Sequence, residues 1–195
     1  LADGRYSTKE YKKILLSLAK VNTKKFNAYR LFNSIYFNSK GIKGQWSPKN
    51  ILKNKDILIL GPGKNLKYNI EHIEKKINEK NLFVISLNTF KSINEKYIRL
   101  RTICHPLRIS LEINKIKKFK SKFIIPFSSF SSNFRRSIKL KDKNFYDFGM
   151  SVKTENPIIV KNTHCILPSP LAIGYALSLV IAGQARSLKV AGFDG

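Results

Sequence analysis

A run of apolar residues that ends in a glycine-rich turn constrains the fold of this chain more than any other feature. Residues 57–60 read Ile-Leu-Ile-Leu. A short continuous apolar run of this kind is typical of a strand that is buried on both faces. The turn and the polar segment after it consist of Gly61, Pro62, Gly63, Lys64 and Asn65. Because glycine lets a backbone turn tightly and lets a neighbour approach closely, the sequence predicts a strand–turn–helix unit here.

The glycine turn has two interpretations. Strand–glycine turn–helix units commonly bind phosphates, because the turn and the helix start present N–H groups and the positive end of a dipole. A dinucleotide fingerprint has a third glycine, and a phosphate loop has Gly-Lys-Ser/Thr; the sequence after Gly61 matches neither. From these residues alone, a ligand-binding loop and a plain tight turn are equally well supported.

Beyond residue 55, short apolar runs alternate with helical segments. The patterns predict strands at residues 57–60, 82–87, 97–104, 123–126 and 188–191, with short edge strands at 145–150, 157–160 and 164–167. They predict helices at residues 66–80, 109–119 and 170–185, and an irregular excursion at 128–143. Alternating units of this kind predict an α/β fold with a doubly wound, mainly parallel sheet.

The helix predicted at residues 170–185 is apolar on nearly every side. Ser169 is its predicted cap and Pro170 its first residue, which fits the preferences of helix starts. A helix that is apolar all round must be covered on both sides. We therefore expect this helix to lie between the sheet and a second layer.

Residues 1–54 are interpreted as a helical extension, and residues 55–195 as the α/β domain. Two helices are predicted within residues 7–38, and the second carries an aromatic stripe. The stripe consists of Phe26, Tyr29, Phe32, Tyr36 and Phe37. We interpret it as a packing surface rather than as a ligand-stacking site. Because the chain stops directly after an apolar strand, we expect it to be a fragment of a longer protein, truncated at its C-terminus.

The chain is strongly basic, with 37 Lys and Arg against 12 Asp and Glu and a formal charge of +25. Such a charge suits a nucleic-acid- or polyanion-binding module. The basic residues are spread over every segment, however, so a solvated lysine surface is the preferred interpretation. The charge also leaves open a peripheral contact with anionic lipid.

The cysteines and the apolar stretches indicate the cellular compartment of the protein. Cys104 and Cys165 are the only cysteines, too few for a disulfide framework, and nothing resembles a signal peptide. The longest apolar stretch, residues 171–183, is shorter than the ~20 residues of a membrane span. These features predict a cytoplasmic protein.

Polar residues follow the predicted strands where ligands bind in open α/β sheets, outside the carboxyl ends. They are the Gly61–Asn65 turn, Asn88, Thr89, His105, Ser169 and Asp194. The pairs Cys104-His105 and His164-Cys165 lack zinc spacing, and adjacent strand residues point to opposite faces. No closely spaced acidic pair suggests Mg²⁺. The sequence therefore predicts a ligand site at this edge and no metal site.

The order of these strand ends resembles two families. Gly61-Pro62-Gly63-Lys64-Asn65-Leu66, Ser86-Leu87-Asn88-Thr89-Phe90, His105-Pro106-Leu107 and Ala191-Gly192-Phe193-Asp194 resemble, in order, motifs of bacterial family 42 sialyltransferases. Residues 55–195 are more closely similar to a Rossmann-like domain found C-terminal to 4-hydroxy-2-oxovalerate aldolase-type enzymes. Ile103 to Arg108 and Val190 to Gly195 carry most of that second resemblance.

The resemblances imply a Rossmann-like fold and a role in bacterial surface-polysaccharide synthesis, alongside an aldolase domain. They imply that the Gly61–Asn65 turn, Asn88 and Thr89 bind a nucleotide, with CMP or a CMP-sugar as the ligand and no metal. His105, Ser169 and Asp194 would line the sugar pocket.

The chain departs from the sialyltransferase pattern in three places. The family turn reads Gly-Asn-Gly-Pro-Ser, whereas Pro62 takes the place of its nucleotide-contacting asparagine and has no N–H to donate. His105-Pro106-Leu107 stands where that family has Asn-Pro-Ser. The family's catalytic histidine lies beyond the point at which this chain ends. We therefore expect nucleotide binding without catalysis by this fragment, with metal-independent glycosyl transfer or a lyase fusion as activities of a longer chain. A docking domain that packs on an aldolase through residues 7–38 is a further alternative.

Overall fold

The computed structural model of this chain describes residues 35–38, 43–91, 93–140, 145–153 and 158–193. The predicted helices within residues 7–38 lie outside these ranges except for their last four residues. Three members of the aromatic stripe, Phe26, Tyr29 and Phe32, also lie outside them, as does Asp194.

Among the residues that the structure describes, nine strands form two sheets. In chain order they are β1 (Asp56–Leu60), β2 (Phe83–Leu87), β3 (Ile98–Thr102), β4 (Lys122–Ile125), β5 (Phe145–Asp147), β6 (Gly149–Val152), β7 (Ile159–Val160), β8 (His164–Leu167) and β9 (Ser187–Ala191). The main sheet has six strands in the order β5-β4-β3-β2-β1-β9. Every neighbouring pair in it is parallel. The predicted α/β, Rossmann-like, doubly wound fold is confirmed.

The α-helices lie between and around these strands. They are α1 (Lys49–Leu52), α2 (Asn65–Tyr68), α3 (Ile70–Glu79), α4 (Pro106–Ile116), α5 (Ser132–Ile138) and α6 (Ala172–Ala182). Single turns of 3₁₀ helix occupy Glu95–Tyr97 and Phe127–Ser129.

Strand β1 is covered on both faces, as its apolar run predicts. Ile57 and Ile59 belong to one core cluster, which also holds residues of α6. Leu58 and Leu60 belong to a second cluster, which also holds Ile77 of α3. None of these four side chains is more than 5% exposed. The two core layers on either side of β1 therefore explain why its sequence does not alternate between apolar and polar residues.

Helix α6 is also covered on both sides, and this prediction is confirmed. It contacts β2 and β3 of the main sheet as well as β7 and β8. The strands at its outer side form a separate three-stranded sheet in the order β6-β8-β7, where edge strands had been expected. In the described part of the chain, no helix is both long and apolar enough to cross a membrane.

The predicted start of α6 is wrong by two residues. Leu171, not Ser169, is the N-cap residue, and its side chain makes no capping hydrogen bond. The Leu171 N–H donates to the Ser169 carbonyl at 2.9 Å, which closes a tight turn before the helix. That turn is held in place because the Cys104 thiol donates to the Pro170 carbonyl, with 3.3 Å between the sulfur and the oxygen. A tertiary contact has thus overridden a local capping preference.

The helix predicted at residues 66–80 is interrupted at Asn69. Its backbone leaves the helical region, with φ −120° and ψ 17°. The Asn69 side-chain amide donates to the Asn65 carbonyl at 2.9 Å, so a side chain competes with the helix for backbone partners. The inward face was predicted correctly, because Ile77 is buried and Ile70 and Ile73 pack on the same cluster.

The segment expected to be irregular at residues 128–143 contains helix α5. Ser131 caps this helix, since its hydroxyl accepts from the Phe134 N–H at 3.3 Å. The same hydroxyl donates to the Ile35 carbonyl at 2.7 Å. Tyr36 packs edge-on against Phe134 with ring centroids 5.1 Å apart, and Phe37 is also buried. For these two residues, the prediction that the aromatic stripe is a packing surface is confirmed.

Candidate functional site

The main sheet has a topological switch point between β1 and β9. From β1 the chain winds through β2, β3, β4 and β5 toward one edge and then returns to place β9 on the other side of β1. In open α/β sheets, ligands bind in the crevice outside the carboxyl ends of the strands at such a point. Here that point is formed by the turn after Leu60 and the turn after Ala191. The Gly61 turn therefore lies at the position where folds of this kind bind ligands.

The two turns at the switch point are hydrogen-bonded to each other. The Gly61 N–H donates to the Ala191 carbonyl and the Gly63 N–H donates to the Gly192 carbonyl, both at 2.8 Å. Pro62 has no N–H. A phosphate at this turn must therefore be held by groups other than these two glycine N–H groups. Pro62, Lys64 and Asn65 are exposed.

The closeness of the turns explains the glycines. A Cβ on Gly61 would lie 2.4 Å from the Gly192 carbonyl oxygen and 2.9 Å from Cζ of Phe193. Gly192 has φ +75°, and a Cβ there would lie 2.5 Å from the Gly61 carbonyl oxygen. Both positions therefore require glycine so that the two turns can pack against each other, whether or not a ligand is bound.

The next strand ends, those of β2 and β3, carry two unsatisfied polar atoms. Asn88 follows β2 in the left-handed region, with φ +56°, and its N–H donates to the Thr102 carbonyl at 2.8 Å. Among the described residues, the buried Asn88 Oδ1 and Thr102 Oγ1 find no hydrogen-bond partner. Buried polar atoms are normally satisfied, so unpartnered ones at a strand end mark a place for a ligand or water.

The loop after β2 is held by a buried cation that the sequence analysis did not single out. The guanidinium of Arg101, on β3, donates to the carbonyls of Phe90 at 2.7 Å and Asn88 at 3.3 Å. It also donates to Ser86 Oγ and Ser121 Oγ, each at 3.2 Å, and is paired with Glu95. Burial lowers the pKa of Arg101, and Glu95 opposes that effect. Arg101 fixes the position of Asn88 and of the loop beyond it.

Thr89 faces away from the switch point. It is 7% exposed and lines a groove of about 350 Å³. The other lining residues are Lys91, Lys115, Lys118 and Phe119. Thr89 therefore shares a cavity with Lys91 of its own loop and with Lys115 and Lys118 of a different segment, rather than with the Gly61 turn.

His105 lies at the start of α4, beside the turn that precedes α6. The thiol of the preceding residue, Cys104, bonds to Pro170, which brings the Ser169 turn to the end of β3. Burial, and next the charge of Arg108, lowers the pKa of His105 to about 4. Its imidazole is therefore neutral at pH 7. The Cys104 contact places the Ser169–Pro170 turn beside the end of β3, whereas Asp194 lies outside the described residues. A pocket lined by His105, Ser169 and Asp194 stays a prediction.

The low pKa of His105 predicts sensitivity to acid. Between pH 4 and its ordinary pKa of 6.5, the unfolded chain binds more protons at this residue than the folded protein does. Stability therefore falls as the pH falls through this window, by about 2 kcal/mol between pH 7 and pH 4.5. Urea denaturation at both pH values measures the loss, and His105→Gln should reduce it.

His164→Gln is the matched control for this prediction. Burial and the charge of Lys43 also lower the pKa of His164, so its removal takes away a separate part of the acid sensitivity. The His105 part should persist in that variant. Equal acid sensitivity in the wild type and in His105→Gln would contradict the prediction.

The described residues contain no group of three or more His, Cys, Asp or Glu placed to hold a metal ion. A comparison with protein-family models, with curated proteins and with solved structures finds no significant match to this chain.

Proposed function

We propose that this domain binds a nucleotide or nucleotide sugar in the crevice at the carboxyl edge of its main sheet. The observation that carries the proposal is the coincidence of the switch point between β1 and β9 with unsatisfied polar atoms on the neighbouring strand ends. The carboxyl edge of the sheet at a switch point is the usual place for a nucleotide in such folds.

The proposed contacts come from the β2 and β3 ends. Asn88 Oδ1 accepts a hydrogen bond from a base amine or a sugar hydroxyl, and the Thr102 hydroxyl can donate or accept. The neutral imidazole of His105 lies at the same edge, three residues after Thr102 at the end of β3. The charge of +25 favours approach of an anionic phosphate at low salt. The crevice thus offers hydrogen-bond partners for a nucleotide, and the positive charge of the protein attracts its phosphate.

CMP and CMP-sugars are the first ligands to test. The resemblance of the strand-end motifs to CMP-dependent sialyltransferases, and to the domain that follows aldolase-type enzymes, supports this choice. In that context the domain would serve surface-polysaccharide synthesis, and a longer chain would carry any glycosyl transfer. Ligand binding by this chain is the part of the proposal that can be measured directly.

Calorimetric titration with CMP, CMP-sugars and other nucleotides tests the proposal, using Asn88→Gly as the diagnostic variant. Glycine keeps the left-handed backbone at this position and removes only the side-chain amide. Loss of one hydrogen bond to a buried acceptor should weaken nucleotide binding by about tenfold.

Asn81→Gly is the matched control. Asn81 also has a positive φ, +45°, but lies before β2 at the opposite edge of the sheet. Its replacement should leave the affinity unchanged. The proposal fails if no nucleotide binds, or if both variants lose the same affinity.

A further inference from the structure

A basic groove lies beside the β2–β3 loop, away from the switch point. One wall is formed by Thr89 and Lys91, and the other by Lys115, Lys118 and Phe119 at the end of α4. The groove has a volume of about 350 Å³. This is near the lower end of the range for small-molecule pockets, which suits a small ligand.

The positive charge of the groove is not balanced by its own lining. Of its five described lining residues, three are lysines and none is acidic. Glu112, one turn before Lys115, lies 3.6 Å from a guanidinium nitrogen of Arg108, and Glu95 is paired with Arg101. The carboxylates of Glu112 and Glu95 therefore pair with arginines. Three like charges that converge on one cavity repel each other, and an anion between them lowers that energy.

Helix geometry alone does not account for this convergence. A lysine in the last turn of a helix, such as Lys115, is favoured by the helix dipole. Lys91, however, comes from the loop after β2, and its amine lies 5.2 Å above the Phe119 ring. The lysines thus come from two separate segments that meet only in the folded protein.

Both walls of the groove are tied to the same buried side chain. Arg101 donates to the Asn88 and Phe90 carbonyls, which flank Thr89, and to Ser121 Oγ beyond Phe119. Its guanidinium carbon also lies 4.2 Å from the centroid of the Phe119 ring. Walls fixed in this way need little reorganisation on binding, which favours affinity.

We propose that this groove binds the phosphate group of a small phosphorylated metabolite. Lys91, Lys115 and Lys118 pair with the phosphate oxygens, and Phe119 forms part of the groove wall. This site is separate from the nucleotide crevice, because neither Asn88 nor Thr102, which supply the proposed nucleotide contacts, lines it. The two proposals can therefore fail independently.

The test uses inorganic pyrophosphate and inorganic phosphate as probes in calorimetric titrations at moderate salt. The diagnostic variant is Lys115→Gln combined with Lys118→Gln. Lys117→Gln combined with Lys120→Gln is the matched control, since it removes the same charge from exposed positions of the same segment that do not line the groove. The diagnostic pair should weaken pyrophosphate binding by about tenfold or more, and the control by less than about twofold.

Three outcomes would overturn the proposal. The first is that neither probe binds the wild type. The second is that both variant pairs lose the same affinity, which indicates a general charge effect. The third is that a short single-stranded oligonucleotide binds and is weakened by the diagnostic pair, while the phosphates do not bind. Thermal denaturation of each variant confirms that the fold is retained. Asn88→Gly separates the sites further, because loss of nucleotide binding with intact pyrophosphate binding leaves the groove proposal standing.

Discussion

Replacement of Arg101 by alanine is expected to lower the free energy of unfolding by about 4 kcal/mol, because it leaves buried acceptors without a donor and opens a cavity. The Arg101 side chain is fully buried, and its guanidinium supplies donors to the Phe90 and Asn88 carbonyls and to two serine hydroxyls. The Phe119 ring also loses the cation that packs against it. Urea denaturation of the wild type and the variant measures the difference.

Arg99→Ala provides the control on the same strand. Arg99 lies two residues earlier in β3 and is exposed, so its removal should change stability by no more than about 0.5 kcal/mol. Arg101→Lys keeps a charge but not the planar fork of donors, so it should recover only part of the loss. A cost below about 1 kcal/mol for Arg101→Ala would mean that other contacts hold the β2–β3 loop.

The second large effect is expected at Gly61. Gly61→Ala places a methyl group 2.4 Å from the Gly192 carbonyl oxygen, so the turns after β1 and β9 must separate. Separation strains the two hydrogen bonds that Gly61 and Gly63 donate. Overpacking and weakened hydrogen bonds together should cost about 3 kcal/mol of unfolding free energy. Because these turns form the switch point, nucleotide affinity should fall as well.

Gly174→Ala is the matched control for this substitution. A Cβ on Gly174 meets only the methyl carbons of Leu167, at 3.8 and 3.9 Å, which is ordinary packing contact. Alanine also favours the helical state over glycine, so this variant should be as stable as the wild type or more stable by up to about 1 kcal/mol. Tolerance of Gly61→Ala at the same level would show that the two turns are not rigidly packed.

The strands and the fold class could be predicted because their signals are local. The apolar run at residues 57–60 and its counterparts require burial on both faces, and an alternation of such runs with helices leaves few arrangements other than a parallel sheet. The coverage of α6 followed in the same way from its lack of a polar side. The switch point itself was not predicted, because strand order depends on which strands pair with β1 in the folded protein.

The start of α6 and the break at Asn69 show where local preferences failed. Ser169 and Pro170 fit the preferences of a helix start. The Pro170 carbonyl nevertheless accepts a hydrogen bond from the Cys104 thiol, and the helix begins two residues later. At Asn69, a side-chain hydrogen bond to the Asn65 carbonyl competes with the helix. Each outcome depends on a partner that the local pattern does not specify.

The sequence by itself determined an α/β chain of buried strands and identified the polar residues that follow them. Only the tertiary structure decided what those residues contact. Arg99 and Arg101 occupy equivalent positions in the pattern of β3, yet one is exposed and the other lies under the loop after β2. Likewise, Lys91 meets Lys115 and Lys118 only because that loop packs against the end of α4. Hydrophobic periodicity is a local property, whereas the burial of a charge and the convergence of lysines depend on segments far apart in the chain.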